Sequence, residues 1–227
     1  MKRFDIITEA DARVLPRGEP VMLARGGHVT PLAVDTLQER RIDVVREGCA
    51  SPDEASLAPR ADIRSVAIAS DHTGVALRKT LVAFLRGRGL AVNDLGTDGA
   101  GPVDYPDIAA SVARLVARGE ADGGIAIDGA GIGSAIAANK IAGVRAAMAT
   151  TETIARYSRE HNGANVLTLG ATLVSADEAR AIVTAWLTTA MTEPRYIRRL
   201  AKIRDLETDA RTENRRGRPS GRPGDRD

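Results

Sequence analysis

Five short apolar runs punctuate the chain from residue 65 onward: SVAIAS (65–70), LAVNDLG (90–96), GGIAID (123–128), VRAAMA (144–149) and NVLTLG (165–170). Each is bounded by Gly, Asp, Asn or Ser and is short for a helix, so each predicts a strand. The segments between them carry helical spacing, as in Val75, Leu81, Val82 and Leu85 after the first run. Strands alternating with helices predict an α/β fold, a parallel sheet with helices on both faces.

The rest of the chain is patterned differently. Residues 1–47 contain ITEADARVL, PVMLARGGHVTPLAVDTLQERR and IDVV, which predict a small module of short strands and helices broken by Gly-Gly and Pro. Their apolar positions are too few to predict a robust core of the module's own. Residues 48–63 are polar, rich in Ala, Ser and Pro, and predict a linker. The main domain then spans 64–206, and the arginine-rich 207–227 predicts a disordered basic tail.

In a parallel sheet, ligands gather where the loops converge at the strand carboxyl ends. Asp71 and His72 follow the first strand of the main domain, Asp128 ends the third, and Thr150 to Glu152 follow the fourth. Gly129, Gly131 and Gly133 come directly after Asp128. Glycines so placed let backbone N–H groups turn inward, an anion cradle for phosphate or for a developing enolate oxygen. A dinucleotide fingerprint competes for this stretch, with Glu152 near the ribose-binding distance. However, the third glycine comes one position early and the helix is short. SREHNGANVL sets His161 and Asn162 just ahead of the fifth strand. Taken as lying at matching edges of one sheet, the two histidines are expected to share a site. In EPRYIRRLAKI, Arg195 and Arg199 are four residues apart, a spacing at which two guanidinium groups clamp one phosphate. A plain basic helix face is the alternative, because Arg198 and Lys202 sit beside them.

Composition narrows the classes. A chain of 227 residues with 43% hydrophobic and 27% charged content buries a core, and a net charge of +2 gives no global field for nucleic acid. One cysteine, Cys49, excludes an internal disulfide framework and suits a reducing compartment. No apolar run has membrane-spanning length and the N-terminus lacks a secretory core, so a cytoplasmic protein without a membrane partner is expected.

Together, ASDHTGVALRK, DYPDIA, GGIAIDGAGIGSAIAANKIAGVRAA, SREHNGANVLTLGA and PRYIRR resemble the ribose-5-phosphate isomerase B family, which includes galactose-6-phosphate isomerase subunits. The likeness runs in order from residue 65 to about 205. It implies a Rossmann-like three-layer α/β/α fold with a five-stranded parallel sheet, to which residues 1–47 add a small α/β extension. It further implies a homodimer or homotetramer with sites at the subunit interface, and aldose–ketose interconversion of a phosphorylated sugar without metal or other cofactor. By the same resemblance Asp71 and His72 line the sugar site and Tyr105 contacts substrate. His161 assists ring opening, Asn162 supports the enediolate, the 129–134 loop with Ser134 supplies the anion hole, and Arg195 with Arg199 holds phosphate. Such an isomerisation needs a base, an oxyanion site and a ring-opening group.

The chain departs from the family at informative positions. Asp128 stands where a cysteine base is common, Ser134 where another branch has a glutamate, Ala130 where Thr or Ser is usual, and Thr172 where an arginine is often found. A carboxylate is a competent base for such a proton transfer, as in triosephosphate isomerase, and Asp128 is the candidate base. Two functions are carried forward. One is an active isomerase, with ribose 5-phosphate to ribulose 5-phosphate the leading reaction. The other is a noncatalytic phosphosugar-binding or assembly paralogue. Residues 1–47 resemble short segments on enzymes of bacterial microcompartments, implying an assembly or encapsulation module that meets a shell or cargo enzyme. A lineage-specific extension packed on the dimer is the alternative, and His28 is not expected to be catalytic.

Overall fold

A computed structural model of the chain describes residues 1–46, 57–98 and 101–216. They divide into two compact units. One comprises Met1–Leu57 with Glu193–Arg198, the other Ala58–Thr192 with the chain from Arg199 onward.

The N-terminal unit contains β1 (Arg3–Ile7), α1 (Glu9–Val14), β2 (Val21–Val29), α2 (Pro31–Glu39) and β3 (Val44–Arg46), with the strands parallel in the order β1-β2-β3. Thr8 opens α1 with a capping box. Its hydroxyl accepts the Asp11 amide, and the Asp11 carboxylate accepts the Thr8 amide at 2.9 Å. Contrary to the sequence expectation, this unit has its own core, made by Ile7, Ala12, Leu15, Val21, Leu23, Ala33, Leu37 and Ile42. These residues are scattered in sequence, and β2 runs on through Gly26–Gly27, which reads as a break. A Cβ on Gly27 would stand 2.5 Å from the Asp5 carbonyl oxygen, so only glycine allows β1 and β2 to approach there.

The second unit contains β4 (Ser65–Ser70), α3 (Val75–Gly87), β5 (Ala91–Asp94), α4 (Tyr105–Ala117), β6 (Gly123–Asp128), α5 (Ile132–Ala138), β7 (Ala146–Met148), α6 (Glu152–Glu160), β8 (Val166–Gly170) and α7 (Ala176–Thr188). A last helix, α8 (Pro194–Arg216), follows, and this unit takes it from Arg199 onward. The five strands are all parallel, in the order β5-β4-β6-β8-β7. Every apolar run identified in the sequence is one of them.

Side-chain size alternates along the central strands and separates the layers. Val66, Ile68, Ile125, Ile127, Leu167 and Leu169 meet α3, α6 and α7 on one face. Ala67, Ala69 and Ala126 meet α4 on the other, where small residues admit the helix closely. A Cβ on Gly124 would come within 2.5 Å of Val112 on α4.

Two domain boundaries need adjustment. Residue 47 of the expected module and residues 48–56 of the expected linker, Cys49 among them, lie outside the described residues. From Ala58 the chain already belongs to the larger unit, because Ile63 is buried in its core and Asp122 accepts the Arg64 and Ser65 amides and pairs with Arg60 at 2.9 Å. At the other end, residues 207–216 of the expected tail continue α8. Glu, Ala and Arg favour helix, and Glu207 accepts the Gly143 amide at 3.0 Å. Residues 217–227 lie outside the described residues. Among the described residues, no helix is long and apolar enough to cross a membrane.

Candidate active site

From β4 the chain first moves outward to β5 and then returns to place β6 on the other flank of β4, so the strand order reverses between β4 and β6. This switch point is where open α/β sheets form a crevice. Ser70 pairs with Ile127 across it, so Asp71 and Asp128 leave neighbouring strands side by side, about one strand spacing (~4.8 Å) apart.

Both carboxylates are almost buried, 6% and 5% exposed. Asp71 accepts the Thr73 amide at 2.8 Å, the Thr73 hydroxyl at 2.6 Å and the Gly74 amide at 3.2 Å, and so ties down the turn that leads into α3. Asp128 is the more heavily engaged. One oxygen accepts the amides of Ala130 (2.8 Å) and Gly131, and the other accepts the Ser134 amide at 2.8 Å. The loop expected to cradle an anion thus already closes on an anion of its own. Gly129, Ile132 and Gly133 keep amides that Asp128 does not take, and the last two lie in the first turn of α5, where no intrahelical acceptor exists. Burial alone would raise the Asp128 pKa. The Ser134 hydroxyl and the amides of Gly131, Ser134 and Ala130 outweigh it and hold the carboxyl below its ordinary range. Ser134 Oγ is buried but meets hydrogen-bond geometry with no protein atom among the described residues, so the amides are the firmer part of this stabilisation.

The loop is locked from the far side. Gly131 adopts φ +78°, and a Cβ there would lie 2.8 Å from the Leu169 carbonyl carbon. Thr168, a hydroxyl buried within an apolar strand, donates to the Gly131 carbonyl at 2.7 Å, and Thr172 donates to the Gly129 carbonyl at 2.6 Å. Sequence reasoning missed both roles, although the polar residue inside NVLTLG was a signal. The Tyr105 ring, at the start of α4, lies where a Cβ on Gly133 would be, 2.5 Å from Cε2. His72 is exposed beside this group, and its Nδ1 accepts the Val103 amide at 3.4 Å. Asp71, His72, Tyr105, Asp128, Gly129, Gly131, Gly133 and Ser134 therefore form one cluster.

His161 and Asn162 do not join it. The expectation of matching edges fails because residues that precede a parallel strand lie at its amino end. Asn165, just ahead of β8, accepts the Gly124 amide, four residues before Asp128 and so about 13 Å from it along the strand. His161 ends α6, stacked on Tyr157 at 4.7 Å between ring centroids and with Nε2 3.7 Å from the Glu160 carboxylate. Asn162 lines a cavity of about 470 Å³ with Asn139, Arg145, Ile203, Leu206 and Glu207. Leu200 packs beside Gly163, which brings the Arg199 region of α8 to this same edge. Arg195 groups with the N-terminal unit, its guanidinium over the Tyr196 ring at 4.8 Å and donating to the Tyr196 hydroxyl at 3.1 Å. Among the described residues, no three His, Cys, Asp or Glu side chains gather as metal ligands.

The model of the Ribose/Galactose Isomerase family matches residues 66–203. Ribose-5-phosphate isomerase B of Escherichia coli is 42% identical over 145 residues, 64% of this chain and 97% of the relative. D-erythrulose-4-phosphate isomerase of Pectobacterium atrosepticum is 38% identical over 125 residues, 54% of this chain and 82% of the relative. The solved ribose-5-phosphate isomerase B of Clostridium thermocellum superposes with a TM-score of 0.63 at 45% identity, covering 64% of this chain and 99% of that one. The matched segment carries both clusters, and by it the chain belongs to the ribose/galactose isomerase family of sugar-phosphate isomerases.

Proposed function

We propose that the protein interconverts an aldose phosphate and its ketose, with ribose 5-phosphate and ribulose 5-phosphate the leading pair, in a site completed by a second copy of the chain. The observation that carries this reading is the pairing of Asp71 and Asp128 at the sheet's switch point, against a loop that keeps unspent amides, while His161 and Asn162 lie at the opposite edge. One chain cannot bring both groups to one sugar, whereas two copies facing each other can.

In the forward direction the C2 proton passes to a base and the C1 carbonyl oxygen takes up the charge of an enediolate. A proton then returns to C1, and the O2 proton is transferred to O1. Asp128 is the base in this reading. The oxygen that accepts the Ser134 amide retains a lone pair, and the carboxyl stays ionised. The amides of Gly129, Ile132 and Gly133 face the oxyanion, and Asp71, His72 and Tyr105 hold the sugar hydroxyls. His161 of the second copy opens the ring, Asn162 supports the enediolate, and Arg195 with Arg199 takes the phosphate. Every step uses side chains and backbone of this chain.

A second reading, phosphosugar binding without turnover, is favoured by one observation: three backbone amides engage Asp128 and weaken it as a base. A tetrose phosphate is the alternative substrate, given the erythrulose-phosphate relative. Residues 1–47 lie outside the family match, and the Escherichia coli and Clostridium thermocellum isomerases align over nearly their whole length without them. We infer that they are an added assembly or encapsulation module on a cytoplasmic or microcompartment enzyme. Turnover of a panel of pentose, tetrose and hexose phosphates, followed by NMR, tests the reading. Conversion of at least one aldose phosphate supports it, and tight binding without any conversion supports the second reading instead.

A further inference from the structure

The turn that carries His161 and Asn162 is held by a charge that has no acid partner among the described residues. Arg159 is completely buried, and its guanidinium donates to three backbone carbonyls: Ala164 at 2.9 Å, Arg60 at 2.7 Å and Thr189 at 3.4 Å. Its face lies 4.9 Å from the Trp186 ring. Among the described residues no carboxylate pairs with it. Burial, with Arg145 nearby, pulls its pKa down to about 10. A buried cation left to carbonyl dipoles is costly, and the fixed fork of a guanidinium suits it to holding several acceptors in one plane. Its three acceptors come from separate segments: the start of this unit, the turn after α6, and the connection from α7 towards α8.

The same turn is pinned from a second side. Arg145 Nε donates to the Gly163 carbonyl at 2.8 Å, so the carbonyls of Gly163 and Ala164 are each held by a guanidinium. Gly163 has φ +58°, and a Cβ there would lie 2.7 Å from Leu200. The backbone beside Asn162 therefore has one permitted course, and Arg159 fixes it relative to the rest of the unit.

We propose that Arg159 is a positioning residue for the isomerase reaction, setting the turn that presents His161 and Asn162. The proposal rests on the roles given to those two side chains above. It touches no substrate atom, so its effect belongs in kcat rather than in phosphosugar affinity.

The test uses the full chain with Arg159→Ala and Arg159→Lys, assayed on a sugar phosphate that the unsubstituted protein converts. Hydrogen exchange of residues 161–165 is read in parallel. Arg159→Ala is expected to lose about tenfold or more in kcat, the scale set by small misplacements of catalytic groups, with KM within about threefold, and to exchange faster at Gly163 and Ala164. Millimolar guanidinium should restore part of that kcat by refilling the site, whereas a denaturant would only worsen a purely structural defect. Arg159→Lys, which keeps the charge without the fork, should be intermediate and carries the test if the alanine variant does not fold. A kcat within twofold of the parent overturns the proposal. So does a loss that guanidinium leaves unchanged while exchange at 161–165 matches the parent. If the unsubstituted protein converts no sugar phosphate, the isomerase reading fails, and the exchange data alone decide whether Arg159 sets the turn.

Discussion

Asp128→Asn separates two roles that the carboxylate can fill. In the native loop both oxygens are acceptors, two amides on one and the Ser134 amide on the other. An asparagine has one oxygen. With that oxygen towards Ala130 and Gly131, its NH₂ faces the Ser134 amide, donor against donor. The loss of one charge-assisted bond together with a buried amide left unmet sums to roughly 2–4 kcal/mol. For a chain of this size each kcal/mol moves the melting temperature by about 2–4 °C, so a fall of roughly 5–15 °C is expected. Thermal unfolding followed by circular dichroism reads it, and turnover is measured well below the transition. Removing the base should lower kcat by about 10²–10⁴-fold. Asp128→Cys gives the complementary case: it should melt early, because a thiol is a poor acceptor for three amides, yet retain part of the turnover. An Asp128→Asn variant that melts within a degree of the parent would refute the anchoring geometry. Near-normal kcat in that variant would refute the base and turn attention to Asp71.

Gly133→Ala should leave stability almost unchanged, since the half-exposed Tyr105 ring can swing away from the new methyl, but the displaced ring should raise KM measurably in steady-state assays. Arg195→Ala and Arg199→Ala should each raise KM strongly with the fold intact, because a charge-assisted phosphate contact is worth about 1.5–3 kcal/mol; unchanged KM in both would reject the clamp. The Asp128 pKa lies below its ordinary value, so the stability it contributes is complete above about pH 4 and is lost as pH falls through the depressed value. Denaturant unfolding followed from pH 5 downward to about pH 2 should show that loss in the parent and not in Asp128→Asn.

The apolar runs revealed the larger sheet because its central strands β4, β6 and β8 are buried on both faces, which leaves a continuous signature in the sequence. Asp71 and Asp128 could be placed by the same logic, since a polar residue ending such a run in a parallel sheet has only one edge to occupy. That rule also places His161 and Asn162 at the other edge, because they precede NVLTLG rather than follow it. Spacing alone does not show how a folded chain brings the two edges to one substrate. Hydrogen bonds that bind distant segments were illegible for a different reason. The Thr168 and Thr172 anchors and the Arg159 carbonyl set depend on where β8 and the connections finally pack. In the N-terminal unit, residues as far apart as Ile7 and Ile42 share a core with no periodic trace.

Whether the two clusters meet across copies can be measured by subunit complementation. Asp128→Asn and His161→Ala each disable one half of the site, so homo-oligomers of either should be nearly inactive. After unfolding and refolding as a 1:1 mixture, a two-fold assembly pairs the intact halves in about a quarter of its sites. The composite site predicts recovery of about a quarter of parental turnover on the best sugar phosphate. A mixture as inactive as its separate parts would contradict it.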